Sequence, residues 1–138
     1  MKNKLEVGMY CYNKTNRKMG IGKIISFQSN NNINVRYKND IGLVSIGNLK
    51  ASNDITKLIC VGDIITFKDD EDVYRVNCIP NKESACDCFY LVFNYATPYG
   101  VEDIKVSIKT MQIALETIIT KEQMENMQYV IKWNMEIS

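Results

Sequence analysis

Histidine is absent from the 138 residues. Its absence removes the commonest general base and the commonest transition-metal ligand together. Arginine is scarce, at Arg17, Arg36 and Arg75 only, so guanidinium reading of base edges would be thin. Long apolar runs are missing too. Nothing approaches the roughly 20 residues of a membrane-spanning helix. The opening Met1-Lys2-Asn3-Lys4 runs into Leu5-Glu6-Val7-Gly8 with no apolar segment behind it. Neither a signal peptide nor a membrane partner is expected, and the expected location is cytoplasmic.

Five cysteines are present: Cys11, Cys60, Cys78, Cys86 and Cys88. An odd number does not make a complete disulfide framework, and a reducing cytosol keeps thiols free. Cys78, Cys86 and Cys88 follow a C-x7-C-x-C spacing. Structural zinc wants four ligands, with paired ligands two to four residues apart. No metal and no cofactor is therefore expected. Cys11 and Cys60 stand among apolar neighbours and read as core thiols.

Apolar residues make up 46% of the chain and charged residues 24%, a normal globular balance. The length suits one compact domain, or two very small ones sharing a core. The net charge of +1 conceals a division. Residues 1–57 carry ten Lys and Arg against Glu6, Asp40 and Asp54, a balance of +7. Residues 58–138 carry seven against thirteen Asp and Glu, a balance of −6. Such asymmetry points to partners or to self-association; chance on a solvated surface also produces it.

Hydrophobic patterning is that of short strands. Residues 9–12 are aromatic and β-prone, and Gly20 and Gly22 open a run to Phe27 whose glycines suggest a bend or a close backbone approach. Ser29 to Asn32 form a polar turn. Residues 33–38 alternate apolar and polar, as a half-buried strand does. Asn39, Asp40 and Gly42 supply the next turn, and residues 43–46 another strand. About five short strands with tight turns is the rhythm of an SH3-like small β-barrel.

The second half repeats the first. Leu5-Glu6-Val7-Gly8-Met9-Tyr10 answers to Ile59-Cys60-Val61-Gly62-Asp63-Ile64 at a spacing of 54 residues, and Val44-Ser45-Ile46 to Val106-Ser107-Ile108 at 62. The extra eight residues are placed between Pro80 and Pro98. The expected fold is mostly β: two tandem SH3-like modules, residues 1–57 (basic) and 58–138 (acidic), with an inserted loop around 80–99. One short C-terminal helix is expected, because Thr120-Lys121-Glu122-Gln123 fits a capping box, with Thr120 as N-cap and Gln123 reaching back. Residues 114–119 before it read as a strand, and residues 128–133 after it as a closing strand.

The segments Leu5 to Tyr10, Gly20-Ile21-Gly22-Lys23-Ile24, Val61-Gly62-Asp63 and Thr117 to Glu125 resemble a group of small phage and prophage proteins of low-GC Gram-positive bacteria. In that group a V-G-x-x-V strand occurs twice and a T-K-E-Q-[FM]-E helix closes the chain. The sequence departs from the group over Asp69 to Tyr99, where it is longer and richer in cysteine. The shared motifs are strand starts, turns and a helix cap, so the resemblance implies a setting, a cytosolic accessory protein of a mobile element, and names no active site.

Three candidate sites follow. Tyr10, Tyr12, Lys14, Arg17 and Lys18 belong to the first loop of the first module, with Asn13 and Asn16 between them. Together with Arg36 they offer cations and rings to an anionic ligand. At the 54-residue offset, Lys14 to Lys18 fall on Lys68, Asp69, Asp70, Glu71 and Asp72. A basic loop thus meets an acidic counterpart, which suggests head-to-tail self-association; a solvated turn is the plainer reading. Tyr95 and Tyr99, beside Tyr90, Phe93 and Pro98, break the repeat and are read either as a binding surface or as caps on the second core.

No nucleophile stands paired with a base, so no catalytic residue is assigned and the chain is not expected to be an enzyme. The expected function is that of a non-enzymatic phage or prophage accessory protein. It would antagonise a host defence system by sequestering a small anionic, nucleotide-like signal or by binding a host protein. The alternatives are a nucleic-acid-binding regulator using the basic module and a structural protein of the virus particle.

Overall fold

The computed structural model describes residues 4–38, 40–83, 85–94 and 103–126. The chain divides into two compact units, residues 1–58 and 59–138. In the first, β1 (Tyr10–Asn13), β2 (Gly22–Phe27), β3 (Asn32–Arg36), β4 (Ile41–Ser45) and β5 (Leu49–Ser52) form one antiparallel sheet of order β4-β3-β2-β1-β5. In the second, β6 (Ile64–Phe67), β7 (Val73–Cys78), β8 (Cys88–Phe93), β9 (Ile104–Ser107) and β10 (Leu115–Ile119) form another, of order β10-β6-β7-β8-β9. Numbered within each unit, the two orders are the same. Each described sheet ends in two edge strands, and no pairing closes it into a barrel among the described residues.

Alternation builds the first unit. Along β3, Ile33 and Val35 turn inward and are fully buried, while Asn34 and Arg36 turn outward. Met9, Cys11, Ile24, Val44, Leu49 and Tyr37 join Ile33 and Val35 in one core, each large apolar side chain contributing roughly 1.5–3 kcal/mol on burial. Ser29 holds the β2–β3 turn, its hydroxyl accepting from the N–H groups of Asn31 (3.3 Å) and Asn32 (3.2 Å). Gly22 is the close approach its sequence suggests: a Cβ there would lie 2.7 Å from the carbonyl oxygen of Arg36.

The repeat is written in the backbone bonding. Gly8 N–H donates to Ile24 and Gly62 N–H to Val76, both at 2.8 Å. Lys14 N–H donates to Asn48 at 2.7 Å and Lys68 N–H to Ala114 at 2.8 Å. Both Gly8 and Gly62 have φ of 95°, the left-handed conformation that only glycine adopts without strain. One difference is chemical. In the first unit the sulfur of Met9 accepts from Glu6 N–H at 3.2 Å. In the second, the buried carboxylate of Asp63 takes the matching Cys60 N–H at 2.8 Å and, with its other oxygen, Lys121 N–H at 3.0 Å.

Residues 121–126 are helical, and the capping box forms in both directions: Gln123 N–H donates to the Thr120 hydroxyl (3.1 Å) and Thr120 N–H to the Gln123 side chain (2.9 Å). A second helix corrects the expectation of one. Residues Ile108–Ala114 form α1, capped by Ser107, whose hydroxyl accepts from Thr110 N–H at 3.1 Å. It occupies the place of the 3-10 turn Ile46–Asn48 in the first unit. The matched segments Val44-Ser45-Ile46 and Val106-Ser107-Ile108 therefore mark the same event, a strand giving way to a helical turn. The closing strand expected over 128–133 lies outside the described residues.

Candidate functional site

β1 turns Cys11 into the core, so Tyr10 and Tyr12 lie on the opposite, outer face. Register then decides their neighbours. Tyr10 faces Lys23 on β2 and Ser52 on β5, and Tyr12 faces Lys50 on β5. The Lys23 ammonium lies 5.0 Å from the centre of the Tyr10 ring, and the Arg17 guanidinium (4.5 Å) and Lys50 ammonium (6.0 Å) both lie over Tyr12. Arg17 reaches the ring from the 3-10 turn Arg17–Met19. The chain arrives there through an Asx turn, in which the Asn13 side-chain oxygen accepts from Thr15 N–H (2.9 Å) and the Thr15 hydroxyl (2.7 Å). Lys14 and Lys18 on this loop are exposed.

One row crosses the whole sheet: Ile41, Arg36, Lys23, Tyr10 and Ser52, one residue from each of β4, β3, β2, β1 and β5. Lys23 and Arg36 are therefore direct cross-strand neighbours of like charge, an arrangement that costs stability. No Asp or Glu occurs in any of the five strands. Two clefts border this face. One, of about 430 Å³, is lined by Arg36, Tyr37, Lys38, Asp40 and Ile41. The other, of about 490 Å³, shares Lys50 with the Tyr12 cluster and adds Lys4, Lys57 and Ser52, opposed by Glu6 and Asp54. Asp54 is engaged there, accepting from both the N–H (3.0 Å) and the hydroxyl (2.7 Å) of Thr56.

The second unit keeps one cation of this row, Arg75 in the place of Lys23, and puts neutral groups in the places of Arg36 and Lys50. Ile64 faces Arg75, Arg75 faces Val92, and Thr66 faces Thr117, to which it is hydrogen bonded. The cation-and-ring cluster thus belongs to the first unit.

The structure gathers Tyr10, Tyr12, Arg17 and Arg36 on one face and sets Lys14 and Lys18 at its border. Tyr95 and Tyr99 fall outside the described residues. Sequence reasoning passed over Lys23 and Lys50, because what makes them neighbours of the tyrosines is strand pairing.

Asp69 to Asp72 lie between β6 and β7, with Asp69 at a positive φ of 61° and Asp70 and Asp72 half-buried. Asp70 accepts from Asp72 N–H and from the Tyr74 hydroxyl, both at 2.8 Å. These bonds, the backbone one first, hold its carboxyl below the ordinary range. Asp69 and Glu71 are exposed. Among the thiols, Cys78 and Cys86 approach to 3.9 Å, and Cys86 donates to the Cys88 carbonyl at 3.3 Å. Loss of solvent and the neighbouring Cys86 and Cys88 raise the Cys78 thiol above its ordinary value.

No family model matches the chain, and no curated protein matches it.

Proposed function

We propose that the chain is a non-enzymatic binding protein whose first unit holds a phosphate-bearing, nucleotide-like ligand on the outer face of its sheet. The observation that carries this reading is the charge pattern of that face: Arg17, Lys23, Arg36 and Lys50 around two tyrosines, in a sheet whose strands contain no carboxylate. The ring faces hold the cations in place without neutralising their charge, and two guanidinium groups with two ammonium groups suit a phosphate.

The units are read as tandem SH3-like modules. Their common strand order supports this, as does the helical turn before the last strand of each. The resemblance to phage and prophage proteins supplies the setting, in which capture of a nucleotide signal would disarm a host defence system. Binding to a host protein through the same face is the variant of this reading.

Native mass spectrometry of the chain purified from cells tests it, followed by calorimetric titration with mono-, di- and cyclic nucleotides. The expected result is an added mass of one nucleotide, lost on denaturation or in high salt, and no binding by the Lys14→Glu, Arg17→Glu, Lys18→Glu variant with its circular dichroism unchanged. No added mass and no heat with any nucleotide would overturn the small-ligand reading.

A further inference from the structure

The cations of the first sheet are spread over its outer face: Lys23 and Arg36 face one another across β2 and β3, and Arg17 and Lys50 stand over Tyr12. Across strands, neighbouring residues stand about 4.8 Å apart, so the stretch from Arg36 through Lys23 and Tyr10 to Ser52 covers about 14 Å. Lys50 and Arg17 lie beside this row, two residues along the strands at Tyr12. Along the axis of a stacked strand of nucleic acid the rise is about 3.4 Å per nucleotide. The track thus matches roughly four nucleotides, a site size known for small single-strand-binding barrels.

Lys23, with Arg36 beside it, stands over Tyr10, and Arg17 and Lys50 stand over Tyr12. The pairing of Lys23 with Arg36 is explained by a polyanion that passes between them: the like-charge cost in the free protein is removed when a phosphate lies there. Tyr10 is half-buried and retains ring surface beside Lys23, and exposed Ile41 continues the row at the β4 edge. Both give bases an apolar surface at either side of the charged pair. Tyr12 is only 6% exposed, so its part is to support Arg17 and Lys50.

From this we infer that the ligand of the face is a single-stranded polynucleotide lying across β3, β2 and β1, with Lys23 and Arg36 as its central phosphate contacts. The inference rests on the reading of this face as a phosphate-binding surface and names the ligand class.

Fluorescence anisotropy on the full chain tests it, with labelled dT2, dT4, dT8, dT12, rU12, a 12-base-pair duplex and thymidine monophosphate. Affinity is expected to rise from dT2 to dT4 or dT8 and then level off. The logarithm of the binding constant should fall with the logarithm of salt with a slope of about −2 to −3, from three or four phosphate contacts at about 0.7 each. Lys23→Glu with Arg36→Glu should weaken dT12 or rU12 binding at least tenfold with circular dichroism unchanged, while Arg75→Glu in the second unit leaves it intact. Comparing dT12 with rU12 tells which sugar is preferred, and either one binding supports the inference. Monophosphate binding as tight as dT12, duplex binding tighter than either single strand, or indifference to the double reversal would overturn it. A monophosphate that binds while no oligonucleotide does would sink this inference and leave the proposed small-ligand function standing; failure of every probe would sink both.

Discussion

Cys11 is fully buried at the centre of β1, and burial pushes its thiol up from 9.0 to about 12. Tyr37, packed in the same core, is raised for the same reason, with Cys11 as the second cause. Both groups are neutral when folded and ionise more readily when unfolded. Between the two values of the thiol the unfolded chain binds fewer protons, so stability falls as pH rises. The contribution is complete below about pH 9 and is lost on the way to about 12. For the thiol alone it is on the order of 4 kcal/mol at the upper limit. Cys11→Val removes this titration while keeping an apolar, β-branched side chain in the strand. Its alkaline unfolding midpoint, followed by circular dichroism, is expected to lie above that of the parent, with Tyr37 setting the remaining limit. A midpoint that stays in place would show that some other group governs alkaline unfolding.

At the scale of elements, Asp63 links two of them: the turn before β6 and the start of the helix at 121–126. Its carboxylate is fully buried and accepts N–H groups from Cys60 and Lys121, near the positive end of that helix. Hydrogen bonds to charged groups contribute about 1.5–3 kcal/mol each. Asp63→Ala leaves two N–H groups without this partner, and a loss of roughly 3–6 kcal/mol is expected in chemical unfolding of the second unit. Asp63→Asn keeps one acceptor and turns an amide donor toward the other N–H, so its loss should be intermediate. At the matching position of the first unit Met9→Leu should cost under about 1 kcal/mol, since a thioether is a weak acceptor. Equal losses at the two positions would refute the assignment of Asp63 as the linking group. The cap at Thr120 and Gln123 was legible because both halves of a capping box are local. Helix α1 was not. Ile108, Thr110 and Ile113 are β-branched, and its first turn holds no acidic residue, so local signals favoured a continued strand while the fold required a turn before β10.

For the whole molecule, the sequence displayed the repeat and the division of charge, because Val-Gly at 7–8 and 61–62 marks a glycine turn that both units use. It did not display the cationic row. Lys23, Arg36 and Lys50 lie far apart along the chain, and only the pairing of β2 with β3 and of β1 with β5 brings them to the two tyrosines. The division of charge, +7 against −6, has its own consequence for a second copy of the chain. Exposed Lys14 and Lys18 of one copy can meet exposed Asp69 and Glu71 of another, whereas Arg17 covers Tyr12 and Asp70 is bonded to Asp72 and Tyr74. Exposed ion pairs contribute about 0.2–1 kcal/mol each. Even four of them reach only about 4 kcal/mol, a dissociation constant near 1 mM. Screening shortens their reach from about 30 Å at 0.01 M salt to about 8 Å at 0.15 M. Sedimentation equilibrium of concentrated protein is therefore expected to show an average mass above that of the monomer at the lower salt and the monomer alone at the higher. Reversing Lys14 and Lys18 to Glu should give the monomer at both. Association that is indifferent to salt, or to this reversal, would place the contact on an apolar surface, where the exposed Ile41 and Leu43 of edge strand β4 stand first.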